Sequence, residues 1–207
     1  MKADIEKMLG AAARPTPQDE HMAAQAAQRL TTRALDEGLA DIGYAEVDSP
    51  WGPLTAATTA QGLVRLAFPE EPLDEVLERL AQKLSPRIVE APTHFEQVKR
   101  ELDEYFAGTR RDFEVPLDRV LMSAFAKKVL AATSSIPYGS VSTYTEMATE
   151  AGSPRGSRAA GNALGSNPIP VIVPCHRVLR TGGNLGGYGG GLDRKRWLLQ
   201  HEGALLV

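Results

Sequence analysis

The sequence predicts an α/β (α+β) fold, with a small N-terminal α/β domain built on an antiparallel sheet. A mostly helical C-terminal domain containing a helix-turn-helix follows. Three observations predict this. Between Ile42 and Phe68, short β-type runs alternate with Gly/Pro turns. Leu73–Leu84 and Phe95–Phe106 carry apolar residues at helical spacing. Beyond residue 140, two short helical segments flank the tight connection Ser153-Pro154-Arg155-Gly156. These changes of texture divide the 207 residues into an N-terminal helical extension (1–40), an α/β domain (41–116) and a C-terminal domain (117–207).

In order along the chain, Thr16-Pro17-Gln18-Asp19 opens an alanine-rich helix that runs to about Glu37, and Gly38 stops it. The expected strands are Gly43–Val47, Leu54–Thr59 and Leu63–Phe68, separated by Pro50-Trp51-Gly52-Pro53 and Gln61-Gly62. Arg87–Glu90 is a candidate further strand, and Gly108 ends the Phe95–Phe106 helix. Met122–Ala132 reads as a helix and Ile136–Gly139 as a turn. Ser142 is the expected N-cap of a helix running to Gly152, with Thr145 or Glu146 in its first turn. Ser157–Leu164 is the second helix of the pair, and Asp193–His201 is the last helix. Val171–Val173, β-branched and bounded by prolines, reads as a buried strand stopped by Pro174.

Bulk properties narrow the function. Met1–Lys7 carries acids and leads into no apolar stretch, so no secretory signal is expected. No run approaches the ~20 apolar residues that span a bilayer. A single cysteine fits a reduced intracellular compartment, preferably a bacterial-style cytoplasm. Charge is unevenly distributed. Residues 1–120 hold 14 Lys+Arg against 22 Asp+Glu, whereas residues 121–207 hold 9 against 4. The basic half therefore suits a polyanion, although charge runs are more often solvated faces.

That basic half contains the lone cysteine, Cys175. It can form no internal disulfide, CxxC pair or multi-cysteine zinc site. An isolated cysteine is usually a small buried hydrophobe. Here it follows Pro174 at an expected strand end with His176 and Arg177 beside it, and cationic neighbours favour a reactive thiolate. In an extended stretch Cys175 and His176 would point to opposite sides, so a bridging water rather than a direct bond would connect them. Glu202 is a candidate to fix the imidazole tautomer. The helix Arg155–Ala163, lined by Ala and Gly with arginines near its start, suits either tight packing or phosphate contact. Gly186-Gly187-Tyr188-Gly189-Gly190-Gly191 lacks the Lys-Ser/Thr of a nucleotide P-loop; close backbone approach to a flat ligand and a flexible linker both remain open.

Taken together, Pro174-Cys175-His176-Arg177-Val178, Gly165-Ser166-Asn167-Pro168, Tyr188-Gly189-Gly190-Gly191-Leu192 and Trp197–Gly203 resemble the O6-alkylguanine-DNA alkyltransferase family. Ile136–Tyr144 matches as well, and the likeness covers roughly residues 120–205. The resemblance implies transfer of an alkyl group from O6 of guanine in double-stranded DNA to Cys175, irreversibly and once per molecule. It further implies that His176 activates the thiol through water, that Glu202 orients His176, and that Asn167 holds the supporting turn. Tyr144 would donate to N3 of the flipped base, and main-chain carbonyls at Cys175 and Val178 would accept from the exocyclic amine. Tyr188, Gly189 and Gly190 would line the substrate site. Ser157, Arg158, Ala159, Gly161 and Asn162 would face DNA in the minor groove, with Arg158 filling the gap left by the base.

Some relatives carry serine where this chain has Gly189, so a hydroxyl contact to substrate is lost here. Zinc-bearing domains of other relatives need cysteines this chain lacks; no metal, no cofactor and no phosphotriester-repair domain are expected. A monomer in solution is expected, with cooperative assembly on DNA and O4-alkylthymine repair left open. Three rival readings were weighed. A non-catalytic damage-flagging relative would lack Cys175. A helix-turn-helix regulator would leave Tyr144, Asn167, His176 and Glu202 unexplained. A cysteine hydrolase suffers from the adjacent Cys–His geometry.

Overall fold

A computed structural model describes residues 16–205; the reading of Met1–Lys7 lies outside them. Helix α1 (Pro17–Asp36) starts at a capping box. Thr16 Oγ1 accepts from Asp19 N at 3.2 Å, and the Asp19 carboxylate accepts from Thr16 N at 2.9 Å. No residue of α1 is buried, as its alanine-rich face leads one to expect.

Strands β1 (Ile42–Val47), β2 (Leu54–Thr59) and β3 (Gly62–Ala67) form the antiparallel meander. Strand β4 (Ile88–Glu90) joins the free edge of β1 in parallel, giving the order β3-β2-β1-β4. The chain crosses back between β3 and β4 through α2 (Leu73–Lys83), which covers one face. Val76 and Leu80 of α2 pack there with Ile42, Ala57 and Val64. A short 3₁₀ turn, Pro92–Phe95, leads into α3 (Glu96–Phe106).

The other face of the sheet has no boundary with the second half of the chain. Leu54, Leu66, Phe95, Leu102 and Tyr105 belong to the same core as Leu130, Met147, Ile169, Val178 and Leu198. Backbone bonds stitch the two halves as well. Leu63 N donates to Pro116 O at 2.8 Å, Asp118 N to Leu63 O at 2.9 Å, and Leu66 N to Pro168 O at 2.8 Å.

The second half contributes α4 (Ala124–Ser134), β5 (Ser142–Thr143), α5 (Tyr144–Glu150), α6 (Ser157–Gly165), β6 (Val178–Leu179) and α7 (Leu192–His201). Helices α5 and α6 are the expected helix-turn-helix pair. The N-cap of α5 is Thr143 rather than Ser142: Thr143 Oγ1 accepts from Glu146 N at 3.2 Å and Glu146 returns a bond to Thr143 N at 2.8 Å. Ser142 lies one residue ahead of the cap, and its hydroxyl donates to the Glu146 carboxylate at 2.7 Å instead of accepting from the first turn. The helix also stops earlier than Gly152. Gly152 adopts φ 81 beyond the cap, and Ser153 N reaches back to Ala148 O at 2.8 Å. No helix among the described residues is long and apolar enough to cross a membrane.

The expected strand Val171–Val173 does not form. Among the described residues no neighbouring strand pairs with it; beyond a single bridge between Pro170 and Val173, its polar backbone is satisfied by tight local turns. Val173 N donates to Ile169 O at 2.9 Å, and Cys175 N to Val173 O at 2.8 Å across an inverse γ-turn at Pro174 (φ −82, ψ 58). Val171 itself has φ 73, a conformation costing about 1–3 kcal/mol for a β-branched residue, and full burial holds it there.

At the β2–β3 turn, Gly62 (φ 130) lies so close to the segment pairing with β3 that a Cβ would overlap the Pro116 carbonyl. Gly62→Ala is therefore expected to lower stability by about 2–4 kcal/mol in urea unfolding, through strain and loss of this seam. An unchanged midpoint would show that the seam is not under that constraint.

Candidate active site

The site is assembled on the turns that replace the expected strand. Cys175 opens a 3₁₀ turn, Cys175–Arg177, rather than sitting in extended chain. Asn167, just after α6, braces that turn. Its Oδ1 accepts from Ile169 N at 3.0 Å, while Nδ2 lies 2.9 Å from Val173 O and 3.1 Å from the Cys175 sulfur. An amide is suited to this: one side chain satisfies a donor and an acceptor of a buried loop and still reaches the thiol.

The flanking cations do not create a resting thiolate, contrary to the sequence expectation. Arg177 turns away into the core toward Glu202, and His176 is neutral. Burial pushes the Cys175 thiol up to about 11, opposed by the Asn167 bond and by the charge of Lys195.

His176 is fully buried, and burial holds its imidazole below its ordinary pKa despite the nearby carboxylate. Its Nε2 lies 2.8 Å from Glu202 Oε1, an acceptor when ionised, so the neutral ring carries its proton on Nε2. Nδ1 is thereby left as a lone pair, and it has no hydrogen-bond partner among the described residues. No direct Cys175–His176 bond is present among the side-chain bonds.

Glu202 caps α7 at its C-terminal end rather than lying within it. Burial alone would raise its carboxyl. Donors from His176, Arg177 and Tyr105 outweigh that and hold it at about 2. Arg177 Nε reaches Oε2 at 2.8 Å and Nη2 reaches Oε1 at 3.0 Å.

On its outer side Cys175 borders a cavity of about 730 Å³. Tyr144, at the start of α5, and Ser157, Arg158, Gly161 and Asn162 of α6 line it with Tyr188 and Gly189. Burial raises the Tyr144 phenol pKa, and its hydroxyl donates to Gly187 O at 3.3 Å. Gly186 (φ 67) is required where it is, since a Cβ there would lie 2.7 Å from the Tyr144 hydroxyl oxygen. Gly190 and Tyr188 border a second cavity of about 200 Å³ that also touches Cys175.

Two of the sequence-chosen residues stand apart. Ala159 is exposed on α6 without lining the cavity. Val178 is buried, and its carbonyl already accepts from Lys195 Nζ at 2.6 Å.

Lys195 is the residue that sequence reasoning missed. It is fully buried, and its Nζ also reaches Gly187 O at 3.2 Å. Burial brings its pKa down to about 8. Its position three and four residues before the buried Leu198 and Leu199 puts it on the apolar face of α7, and that spacing was the available signal. Arg194 was missed as well. It donates to Gly190 O at 3.0 Å and to Glu70, with its guanidinium 4.6 Å from the Phe68 ring centroid. The α/β half thus grips the glycine-rich loop that walls the cysteine.

A buried thiol beside a neutral histidine and an ionised glutamate, opening under a helix-turn-helix, is the arrangement of a candidate cysteine nucleophile built against a nucleic-acid-binding motif. Comparison with known proteins specifies the class. Residues 124–204 match the model for the DNA-binding domain of 6-O-methylguanine DNA methyltransferase. Residues 42–119 match its ribonuclease-like domain. The methylated-DNA–protein-cysteine methyltransferase of Mycobacterium tuberculosis is 41% identical over 161 residues, covering 78% of this chain and 92% of the relative. That of Methanosarcina acetivorans is 39% identical over 161 residues, covering 78% and 98%. The crystal structure of Mycobacterium tuberculosis OGT in complex with DNA superposes with a TM-score of 0.68 at 39% identity, covering 78% of this chain and 93% of that one. The chain belongs to the 6-O-methylguanine DNA methyltransferase family.

Without DNA, the rate of Cys175 alkylation by iodoacetamide is expected to rise about tenfold per pH unit through neutrality, flattening only near pH 11. Below about pH 8, where Lys195 is charged, Lys195→Met removes a charge that lowers the thiol pKa, so alkylation slows further. A plateau by pH 8 would contradict the buried, neutral resting thiol.

Proposed function

We propose that this chain repairs DNA by moving an alkyl group from O6 of guanine onto Cys175, irreversibly and once per molecule. Family membership makes it a methylated-DNA–protein-cysteine methyltransferase with DNA as its partner. The observation that carries the residue-level reading is that Cys175 borders a cavity walled also by Tyr144, α6 and the glycine-rich loop at Tyr188. A base swung out of a duplex bound at α6 would meet that sulfur.

The thiolate forms a bond to the alkyl carbon as the carbon–O6 bond breaks, and the electron pair enters the guanine ring. Tyr144 supplies a proton to N3. The Cys175 proton passes through a water to Nδ1 of His176, whose Nε2–H stays hydrogen-bonded to Glu202. The imidazolium then gives that proton up to solvent and the Tyr144 phenolate takes one back, so the proton lost by the thiol balances the one guanine gains. The chain has no second cysteine to take over the thioether, so each molecule reacts once.

Ser157, Arg158, Ala159 and Asn162 are exposed on α6, and with Gly161 they give a face of mostly small side chains fitting the minor groove. Arg158 would occupy the gap left by the base. The protein acts as an intracellular monomer, with residues 1–40, 41–116 and 117–207 as its extension, α/β domain and reactive domain. O4-alkylthymine is a candidate second substrate.

The test is incubation with a duplex carrying one O6-methylguanine, followed by intact mass and peptide mapping. One methyl on Cys175, saturating at one per protein, is expected. Cys175→Ala keeps DNA affinity and gains no mass; DNA binding without transfer by the wild type would replace this reading with damage recognition alone. Arg158→Ala is expected to slow repair in duplex about tenfold or more, because extruding a base costs a few kcal/mol, while sparing reaction with free O6-alkylguanine. Equal losses on both substrates would remove Arg158 from that role.

A further inference from the structure

Tyr105 is fully buried and comes from α3, in the α/β half of the chain. Its hydroxyl donates to Glu202 Oε1 at 2.6 Å. That same oxygen takes His176 Nε2 at 2.8 Å and Arg177 Nη2 at 3.0 Å. One carboxylate oxygen therefore divides its charge among a phenol, an imidazole and a guanidinium.

The phenol is held firmly in this position. Its ring packs against Phe106, Phe113 and Tyr138 with centroids 5.2–6.2 Å apart. His201, the last residue of α7, places Nε2 2.8 Å from the Tyr105 carbonyl, which ties α3 to the helix that ends at Glu202. Tyr138 is no rival donor, because its hydroxyl goes to His201 O at 3.1 Å.

We propose that Tyr105 is a positioning residue that keeps His176 neutral, by sharing the charge on Glu202 Oε1 that would otherwise bear fully on the imidazole. This rests on His176 being the proton acceptor in the proposed reaction. The physical reason is competition at one acceptor: each donor weakens the pull on the others, and in a buried site little solvent screens the change. The other groups facing His176 are Cys175, Arg177, Lys195 and Tyr188. Those facing Glu202 are Arg177, Tyr138, Tyr188 and the Gly139 amide, 3.4 Å from Oε2. Burial drives the Tyr105 phenol pKa far upward, so it acts only as a donor. The α/β half would then supply a working hydrogen bond to the reaction as well as a scaffold.

The test uses the full chain with Tyr105→Phe, which removes one oxygen and keeps the ring. Single-turnover methyl transfer is measured against pH at saturating DNA. Loss of the phenol raises the basicity of His176, so the acid limb is expected to move up by about half a pH unit. Rates below that limb then fall about threefold, while the alkaline plateau, DNA affinity and one-per-protein stoichiometry stay as in the wild type. An unmoved limb would overturn the proposal, because a merely space-filling tyrosine changes stability and not the profile.

The ¹⁵N-detected titration of the His176 ring in DNA-free protein reads the same shift without any transfer. If the wild type transfers no methyl, the functional reading fails, yet this titration still decides the role of Tyr105. If the variant does not fold, the wild-type spectrum decides: a slowly exchanging Tyr105 hydroxyl proton in contact with His176 Nε2–H supports the proposal, and its absence overturns it.

Discussion

A single buried carboxylate organises the second half of this molecule. Glu202 has lost almost all contact with water, a placement that costs several kcal/mol for an unpaired charge. Three side chains from two distant segments offset that cost: Tyr105 from α3, and His176 and Arg177 from the turn that begins at Cys175. Its depressed pKa stabilises the fold by on the order of 3 kcal/mol above pH ~4.3, and this is lost as pH falls toward about 2. Arg177 extends the network by donating to Ile136 O at 2.6 Å, so the turn after α4 is fixed by the same charge.

The cysteine depends on that network at one remove. The 3₁₀ turn carrying Cys175 is anchored behind by His176 and Arg177 and in front by Asn167. Glycines and a strained valine allow backbone to pass where side chains would not fit. Burial then raises the thiol, which keeps Cys175 protonated at rest beside the cavity it borders. The α/β half contributes through Tyr105 on one side and through Phe68 and Glu70, by way of Arg194, on the other. One continuous core makes such contacts rigid.

Much of this was legible in the sequence because local rules governed it. The Leu73–Lys83 helix follows from its apolar spacing, and the meander from β-type runs between Gly/Pro turns. Motif order brought Cys175, His176, Asn167, Tyr144 and Glu202 together as candidates, and the fold brings all five to one place. Where reasoning failed at Val171–Val173, tertiary context had overridden a local preference. The segment has strand-forming side chains but no strand to pair with. At Ser142 the difference is local: its hydroxyl donates to the Glu146 carboxylate, and Thr143 accepts from the first turn in its place.

The sequence by itself determined most of the element types, the helix-turn-helix and the candidate nucleophile, since these rest on spacing and residue type. Only the tertiary structure decided the protonation states and the unexpected participants. Whether Cys175 rests as thiol or thiolate depends on burial and on Lys195, twenty residues away and inward-facing. That Tyr105 reaches Glu202 across 97 positions of chain depends on how α3 packs against α7. Electrostatics in a protein interior are set by what is near in space, and sequence spacing carries that information only within one element.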